Sequence, residues 1–358
     1  VENLKNGTAR ESLAAGASIV LTNTEEYSLT LAEDHHFTPL LGQEYVYDFS
    51  TGFDAATIGF TDSRLMKLEQ GRADMRSISS SKGEHYYNSL FGRLEYAYSN
   101  RYFADVSLRM DESSKFGPRN RRALFWSARA MWRAKEEAWL RSVAWLDELT
   151  LKASVGTSGN SAIGEYAWQG VVEGSDTYKG RAGYGVANPG NSHLTWERQL
   201  NASAGLAVGV FGRVKAEVGF YHRRTSSMLL NVPQPYSSGF DSQLQNIGVL
   251  TNTGLDFRLD VAVWKDGKGN HITPYLVFNY NRQRVVELFN GLKYWIKPGT
   301  GVAWAVGKPV ELFYPRFYRV NPDNGNPEWY MANPSNPAEP QADPSRVTDD
   351  PTMRKRSR

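Results

Sequence analysis

The stretch LFGRLEYAYSNRYFADVSLRMD, Leu90 to Asp111, alternates apolar and polar residues and breaks once, at Ser99-Asn100-Arg101. Period-two alternation around a short polar break reads as a β-hairpin. Its second arm puts Tyr102, Ala104, Val106, Leu108 and Met110 on one face, and Asp105, Ser107, Arg109 and Asp111 on the other. A soluble hairpin would lay the apolar face on a core and the polar face in water. A membrane barrel would lay the apolar face in lipid and turn the polar face to a wet lumen. The remainder of the chain chooses between the two.

The alternation recurs in ten segments. They include Tyr27 to Leu31, Leu41 to Phe49, the two arms above, Leu124 to Trp132 and Leu149 to Val155. Further on come Ala202 to Leu206, Val214 to Phe220, Leu255 to Val263 and Leu276 to Tyr280. Most suit the roughly 9–11 residues that a tilted strand needs to cross a bilayer. None of the apolar faces carries a charge, and at mid-depth an Arg or Lys there would cost about 2–4 kcal/mol. Short connections (Ala32–His36, Ser99–Arg101, Val208–Gly212, Lys265–Asn270) alternate with long ones. The long ones are Thr51–Asn88, Glu112–Arg121, Gly156–Leu194 and Arg224–Leu250; Lys135–Leu146 is predicted to be a short amphipathic helix. Loop length sorted by end is the rhythm of an up-and-down barrel. Aromatics gather near both ends: Tyr98, Tyr102, Phe103, Trp132, Trp139, Trp145, Phe211 and Trp264 at the short turns, and Tyr45, Tyr47, Trp196, Tyr221 and Tyr280 at the long loops. Two aromatic belts suit two membrane interfaces. The fold predicted is an all-β, antiparallel, up-and-down transmembrane barrel wall.

Composition agrees. Of 358 residues 41% are hydrophobic, with 10 Trp, 19 Tyr, 16 Phe and 32 Gly, a mixture that favours strands and turns. Mean hydropathy is −0.51, compatible with a barrel whose lumen and loops are polar. No run of roughly 18 apolar residues is present to make a transmembrane helix. Cysteine is absent, which excludes disulfides, thiol catalysis and Cys-ligated metal. A net charge of +3 demands no anionic partner, and the basic runs Arg119–Arg122 and Met353–Arg358 bear no sign of a nucleic-acid reader. The first residue is Val1, and Asn333–Arg358 is polar and Pro-rich. Residues 1–332 are read as barrel and 333–358 as a loop or disordered tail, in a piece of a longer chain.

The run SLFGRLEYAYSNRYFADVSLRMDESSKFGPRNRRALFWSARAMWR (Ser89–Arg133) resembles the SusC/RagA-type TonB-dependent outer-membrane transporters. HFTPLLGQEY, WLDELTLKASVGTSGN, LTWERQLNASAGL, FYHRRTSSMLL, NIGVLTNTGLDFRL and NPDNGNPEWY follow the same resemblance in order. Val155 and Arg122 stand where the family pattern leads one to expect Trp. The resemblance implies about ten strands of a 22-stranded plugged barrel, with a plug and a TonB-contacting segment expected ahead of it. It implies outer-membrane import of a large nutrient, an oligosaccharide or a peptide, driven through TonB-ExbB-ExbD, under a SusD-like surface lipoprotein as lid. It implies no enzyme activity and no cofactor. The competing expectation is a soluble all-β glycan-binding or hydrolytic protein.

Candidate substrate contacts are Tyr166, Trp168, Tyr178, Tyr184 and Trp196, in or beside a long loop, because aromatic rings stack on the C–H faces of sugars; self-packing of the loop is the alternative. Arg109, Asp111, Arg129, Lys152 and Glu217 are expected to face the lumen. Asp34-His35-His36 and Asp323-Asn324-Gly325-Asn326 lack the further ligands of a metal site and read as turns. No phosphate loop, nucleophile elbow or zinc helix motif occurs. Cell fractionation separates the two readings: the barrel is expected to stay in the outer-membrane pellet until detergent is added, whereas release by a salt or carbonate wash would establish the soluble one.

Overall fold

The computed structural model describes residues 7–60, 62, 64, 67–178, 181–266, 270–297, 302–312, 314–315, 317–330, 347–348 and 356–357. Ten long strands follow one another through a single antiparallel sheet in chain order. They are β1 (Thr8–Glu26), β2 (His35–Ile58), β3 (Ser77–Tyr98), β4 (Tyr102–Ser113) and β5 (Arg122–Arg133). The wall continues with β6 (Leu146–Asn160), β7 (Glu197–Val210), β8 (Val214–Ser226), β9 (Val249–Val261) and β10 (Tyr275–Glu287). Neighbour pairs with neighbour throughout, the meander expected of a barrel wall.

The Leu90–Asp111 hairpin pairs Tyr98 with Tyr102 and Leu90 with Met110 around a turn whose Ser99 and Asn100 both take positive φ. Two left-handed residues twist the turn the way right-twisted strands require. Register then carries each face across the wall. Leu94, Val106, Ala128, Val155 and Ala202 form one continuous row, and Arg93 stands opposite Ser107 and Asp105 opposite Arg129 on the other face.

The apolar face has nothing packed on it. Leu90, Val106, Leu108, Leu124, Trp126 and Phe220 are all exposed, Val106 at 52%. In water such a continuous patch would drive association; in a bilayer it is the lipid-facing surface. The other face is concave. Side chains from β2 through β9, eight successive strands, border one trough of about 750 Å³, from His36 on β2 to Asp256 on β9.

The structure departs from several expectations. The first wall strand is Thr8–Glu26, and the segment read as a strand at Tyr27–Leu31 supplies only a three-residue piece, Leu29–Leu31, beside the start of β2. β1 does alternate, with Leu13, Ile19 and Leu21 on one face and Ser12, Ser18 and Thr22 on the other, but Ala14, Ala15, Gly16 and Ala17 between them weaken the contrast. The connection expected at Thr51–Asn88 is largely strand: β2 runs for 24 residues and β3 for 22, and they pair from His35↔Tyr98 to Ala56↔Ser77. Both far exceed the span of a bilayer, so this hairpin projects beyond the membrane on the long-loop side. The expected helix at Lys135–Leu146 is reduced to a 3-10 turn, Ala134–Glu136, and one α-turn, Ala138–Arg141. Parts of the 333–358 tail, Val347–Thr348 and Arg356–Ser357, form short strand pairs with Trp329–Tyr330 and Tyr314–Pro315; the rest of that tail lies outside the described residues.

The short turns are knit by aromatics and one carboxylate. Tyr98, Tyr102 and Trp132 stack in succession at centroid spacings of 6.1 and 6.3 Å. Glu137 accepts hydrogen bonds from the Tyr102 hydroxyl, the Trp132 indole and the Arg101 guanidinium. These donors, Tyr102 foremost, hold its carboxyl below the usual carboxylate range. Phe103 and Tyr221 depart from the belts expected of them and border the lumen trough instead. In the full-length barrel, Val106→Arg is expected to cost about 2–4 kcal/mol through its mid-depth lipid-facing site, and Ser107→Arg, on the lumen face, far less; the temperature at which each variant loses its folded mobility on a detergent gel measures the difference.

Candidate functional site

The lumen face carries ion pairs in place of a core. Asp105 on β4 receives Arg93 of β3 at 2.5 Å and Arg129 of β5 at 3.1 Å, so one carboxylate ties three strands. Arg93 also contacts Glu95. Arg109 reaches Glu44 of β2 at 2.7 Å, Asp111 at 2.6 Å and the Ser89 hydroxyl at 2.8 Å, and its guanidinium lies 5.3 Å from the centre of the Phe91 ring. Phe91 in turn covers Gly42: a Cβ at that position would stand 2.3 Å from the ring. Glu217 sits opposite Arg258, whose guanidinium holds Asp260 with two hydrogen bonds of 2.8 Å. Lys152 borders the trough with no ion pair among the described residues. The structure thus places Arg109, Asp111 and Arg129 in lumen pairs, Glu217 in a lumen register pair and Lys152 at the open trough.

The long loops build their own small core at the outer mouth. Phe116 and Leu194 are fully buried, packed with Phe125, Ile163 and Trp196. The rings of Phe116 and Phe125 lie 5.3 and 5.7 Å from that of Trp196. The Trp196 indole N–H donates to the Arg121 carbonyl at 2.8 Å. At 4% exposure, with its one polar atom satisfied, Trp196 has no face left for a substrate, and its candidacy is withdrawn. Trp168 packs partly against the same core.

Tyr166 and Tyr184 stay accessible, at 41% and 79% exposure. Tyr166 takes a positive φ of 61°, an uncommon conformation for an aromatic residue. Tyr184 projects from a hairpin formed by Val171–Tyr178 and Arg181–Asn188; Tyr178 ends its first strand, and its side chain lies outside the described residues. Tyr166, Trp168 and Gln169 face Tyr47, Glu84 and Tyr86 across a cleft of about 230 Å³.

The outer loops are held by contacts that no sequence motif announced. The His85 imidazole lies between two carboxylates, Asp48 at 3.2 Å on β2 and Glu165 at 3.0 Å in the loop. Glu165 reaches it over Gly83, where a Cβ would stand 2.2 Å from the carboxylate oxygen. The Asn246 side chain donates to the Thr195 and Ser227 carbonyls, at 2.6 and 3.0 Å, and accepts the Thr195 N–H at 2.8 Å, joining three segments. A short polar residue in a long connection was the only available signal, and many such residues do nothing comparable. Among the described residues no group of three His, Asp or Glu is placed to hold a metal ion.

An exposed apolar wall, a charged concave face and packed outer loops define an outer-membrane transport barrel. The family described as TonB dependent receptor-like, beta-barrel, matches residues 4–336. A TonB-dependent receptor of Formosa agariphila is 32% identical over 272 residues, covering 74% of this chain and 27% of its own. The TonB-dependent receptor SusC of Bacteroides thetaiotaomicron is 31% identical over 263 residues, covering 67% of this chain and 26% of its own. The RagAB peptide transporter superposes with a TM-score of 0.82 and 34% identity over 98% of this chain and 38% of that one. The outer membrane transporter YddB of Escherichia coli, at 10% identity and a TM-score of 0.52, shares the fold alone. The chain belongs to the TonB-dependent receptor β-barrel family, is of its SusC/RagA type, and is an outer-membrane protein. It spans 26–32% of the length of the curated relatives it matches. That membership replaces the soluble all-β alternative.

Trp196→Ala is expected to empty the loop core, at a cost of about 3–5 kcal/mol. Hydrogen exchange of the full-length protein checks this: protection should fall in residues 113–122 and 161–170 and stay unchanged in the lipid-facing ladder of β4 and β5.

Proposed function

We propose that this chain is wall and outer mouth of a transporter that imports a large nutrient, an oligosaccharide or a peptide, across the outer membrane. Energy comes from TonB with ExbB and ExbD, acting through parts of the longer protein, and a SusD-like surface lipoprotein serves as lid. The barrel performs no covalent chemistry. The observation that carries the reading is the arrangement at the mouth: the long loops pack on one another and leave Tyr166, Trp168 and Gln169 along a cleft bordered by Tyr47, Glu84 and Tyr86. Aromatic faces and an amide suit both the C–H faces of a sugar ring and the side chains of an extended peptide. Tyr184 adds an exposed ring on the neighbouring hairpin, and Tyr178 is a further contact of this reading by sequence; Lys152 and Arg129 keep the trough hydrated, with Arg109, Asp111 and Glu217 on the same face of the wall. The 34% identity to a peptide transporter and the 31% identity to SusC support the transporter class without separating the two substrates.

The test is uptake by cells carrying the full-length protein, supplied in turn with an oligosaccharide mixture and a peptide mixture as sole nutrient. Tyr166→Ala with Tyr184→Ala is expected to raise the substrate concentration for half-maximal uptake about tenfold, equivalent to roughly 1.4 kcal/mol of lost contact, with barrel assembly unchanged. Uptake identical to the unaltered protein on every substrate would remove these residues from the site. Uptake that persists without TonB would overturn the transport mechanism.

A further inference from the structure

The lipid-facing side of the wall is free of charge through its apolar rows and then, on β7 to β10, becomes cationic. Arg224 of β8 and Arg284 of β10 flank Thr251 of β9 in one ladder row. The next row toward the membrane holds His222, Thr253 and Arg282, with His222 Nδ1 and Thr253 Oγ1 2.8 Å apart. Arg198 of β7 stands opposite Ser226, one step further out. These residues share the parity of Phe220, Leu255 and Tyr280, which form the exposed apolar row immediately below.

Their depth follows from strand geometry. Ten residues separate Val214, at the short-turn end of β8, from Arg224. At roughly 3.4 Å per residue and a tilt of about 40–45°, that is about 25 Å, the height of a barrel's apolar band. The arginines therefore sit at the outer interface, where acyl chains give way to headgroups. Strands about 4.8 Å apart put Arg224 and Arg284 two strands, or roughly 10 Å, apart along the row.

Elsewhere in the wall most arginines hold a carboxylate, and Arg223, on the lumen face of β8, donates to the Asn201 amide oxygen at 3.1 Å. Arg93, Arg109, Arg129 and Arg258 hold carboxylates on the lumen face, and Arg122, on the lipid-facing side of β5, holds Glu112 at 2.9 Å. Among the described residues, the guanidiniums of Arg198, Arg224, Arg282 and Arg284 show no such partner, and all four residues are exposed. Four unpaired guanidiniums above an apolar surface complement an amphiphile with anionic oxygens above its acyl chains, and a guanidinium matches phosphate with a two-pronged hydrogen bond.

We propose that this patch is a binding site for a phosphate-bearing lipid of the outer leaflet. Arg224 and Arg284 grip phosphate oxygens, Arg198 and Arg282 add charge on either side, and Phe220, Leu255 and Tyr280 receive the acyl chains. The site is independent of the substrate cleft and of the identity of the nutrient.

The experiment uses the full-length transporter, delipidated in a neutral detergent and titrated with lipid A, its dephosphorylated counterpart and inorganic phosphate, with bound lipid counted by native mass spectrometry. Lipid A is expected to bind, and removing its phosphates to weaken binding at least tenfold. Arg224→Gln with Arg284→Gln should produce a similar loss, whereas Ser107→Gln on the lumen face should produce none. Inorganic phosphate at the same concentration should not displace the lipid, which identifies the lipid and not the free ion as the occupant. Equal binding of phosphorylated and dephosphorylated lipid overturns the proposal, as does binding unaltered in the double variant. If the double variant fails to assemble, Arg224→Lys with Arg284→Lys keeps the charge and loses the two-pronged geometry; a several-fold weakening supports the proposal and unchanged affinity overturns it.

Discussion

Hydrocarbon offers no hydrogen bonds, and everything else in this wall depends on that. Each backbone N–H and C=O inside a bilayer needs a partner in the protein, which for an extended chain means a neighbouring strand. The ten-strand meander is the local solution, since each long strand finds its partner in the next one along the chain. Once the ladder is fixed, parity does the sorting. Shifting β4 by one residue would carry Asp105, Arg109 and Asp111 into lipid and put Val106 and Leu108 into the lumen. The Asp105 ion pairs to β3 and β5 fit only the observed register, so the lumen charges and the lipid-facing apolar rows enforce the same alignment.

The same reasoning explains where buried hydrophobic side chains occur. A membrane wall spends its apolar residues on lipid, and its inner face is wet. The residues that form a conventional core, Phe116, Phe125, Leu194 and Trp196, lie at the mouth, where the long connections leave the bilayer and must bury one another. There the interactions change in kind. Side-chain amides and a histidine between two carboxylates join segments far apart in sequence, and the resulting loop surface is set by tertiary contacts.

The family relationship and the physical reading meet on the same residues without being interchangeable. Similarity to SusC and to RagAB identifies the class of barrel. Parity, register and exposure say which side chains meet lipid, lumen or loop, and they separate Arg198, Arg224, Arg282 and Arg284, which have no carboxylate partner among the described residues, from the lumen arginines that hold one. The two kinds of arginine look alike in sequence; their different roles come from which face of the sheet they occupy and whether a carboxylate stands beside them.

The amino-acid sequence alone determined the strands, their parity and the membrane environment, because period-two alternation is local and survives without knowledge of any contact. It put Arg109, Asp111 and Arg129 on the polar face of their strands for the same reason. It missed β1, where the run Ala14 to Ala17 dilutes the alternation of Leu13, Ile19 and Leu21 with Ser12, Ser18 and Thr22, and the outward reach of β2 and β3, whose Ser- and Gly-rich ends resemble a loop until they are seen paired. Only the tertiary structure decided that Trp196 belongs to a core while Tyr166 borders a cleft, and that Glu165 closes over Gly83 onto His85. The physical reason is range: alternation is written between adjacent residues, whereas a loop core and a side-chain hydrogen bond across 80 residues of chain exist only once the wall has brought their members together.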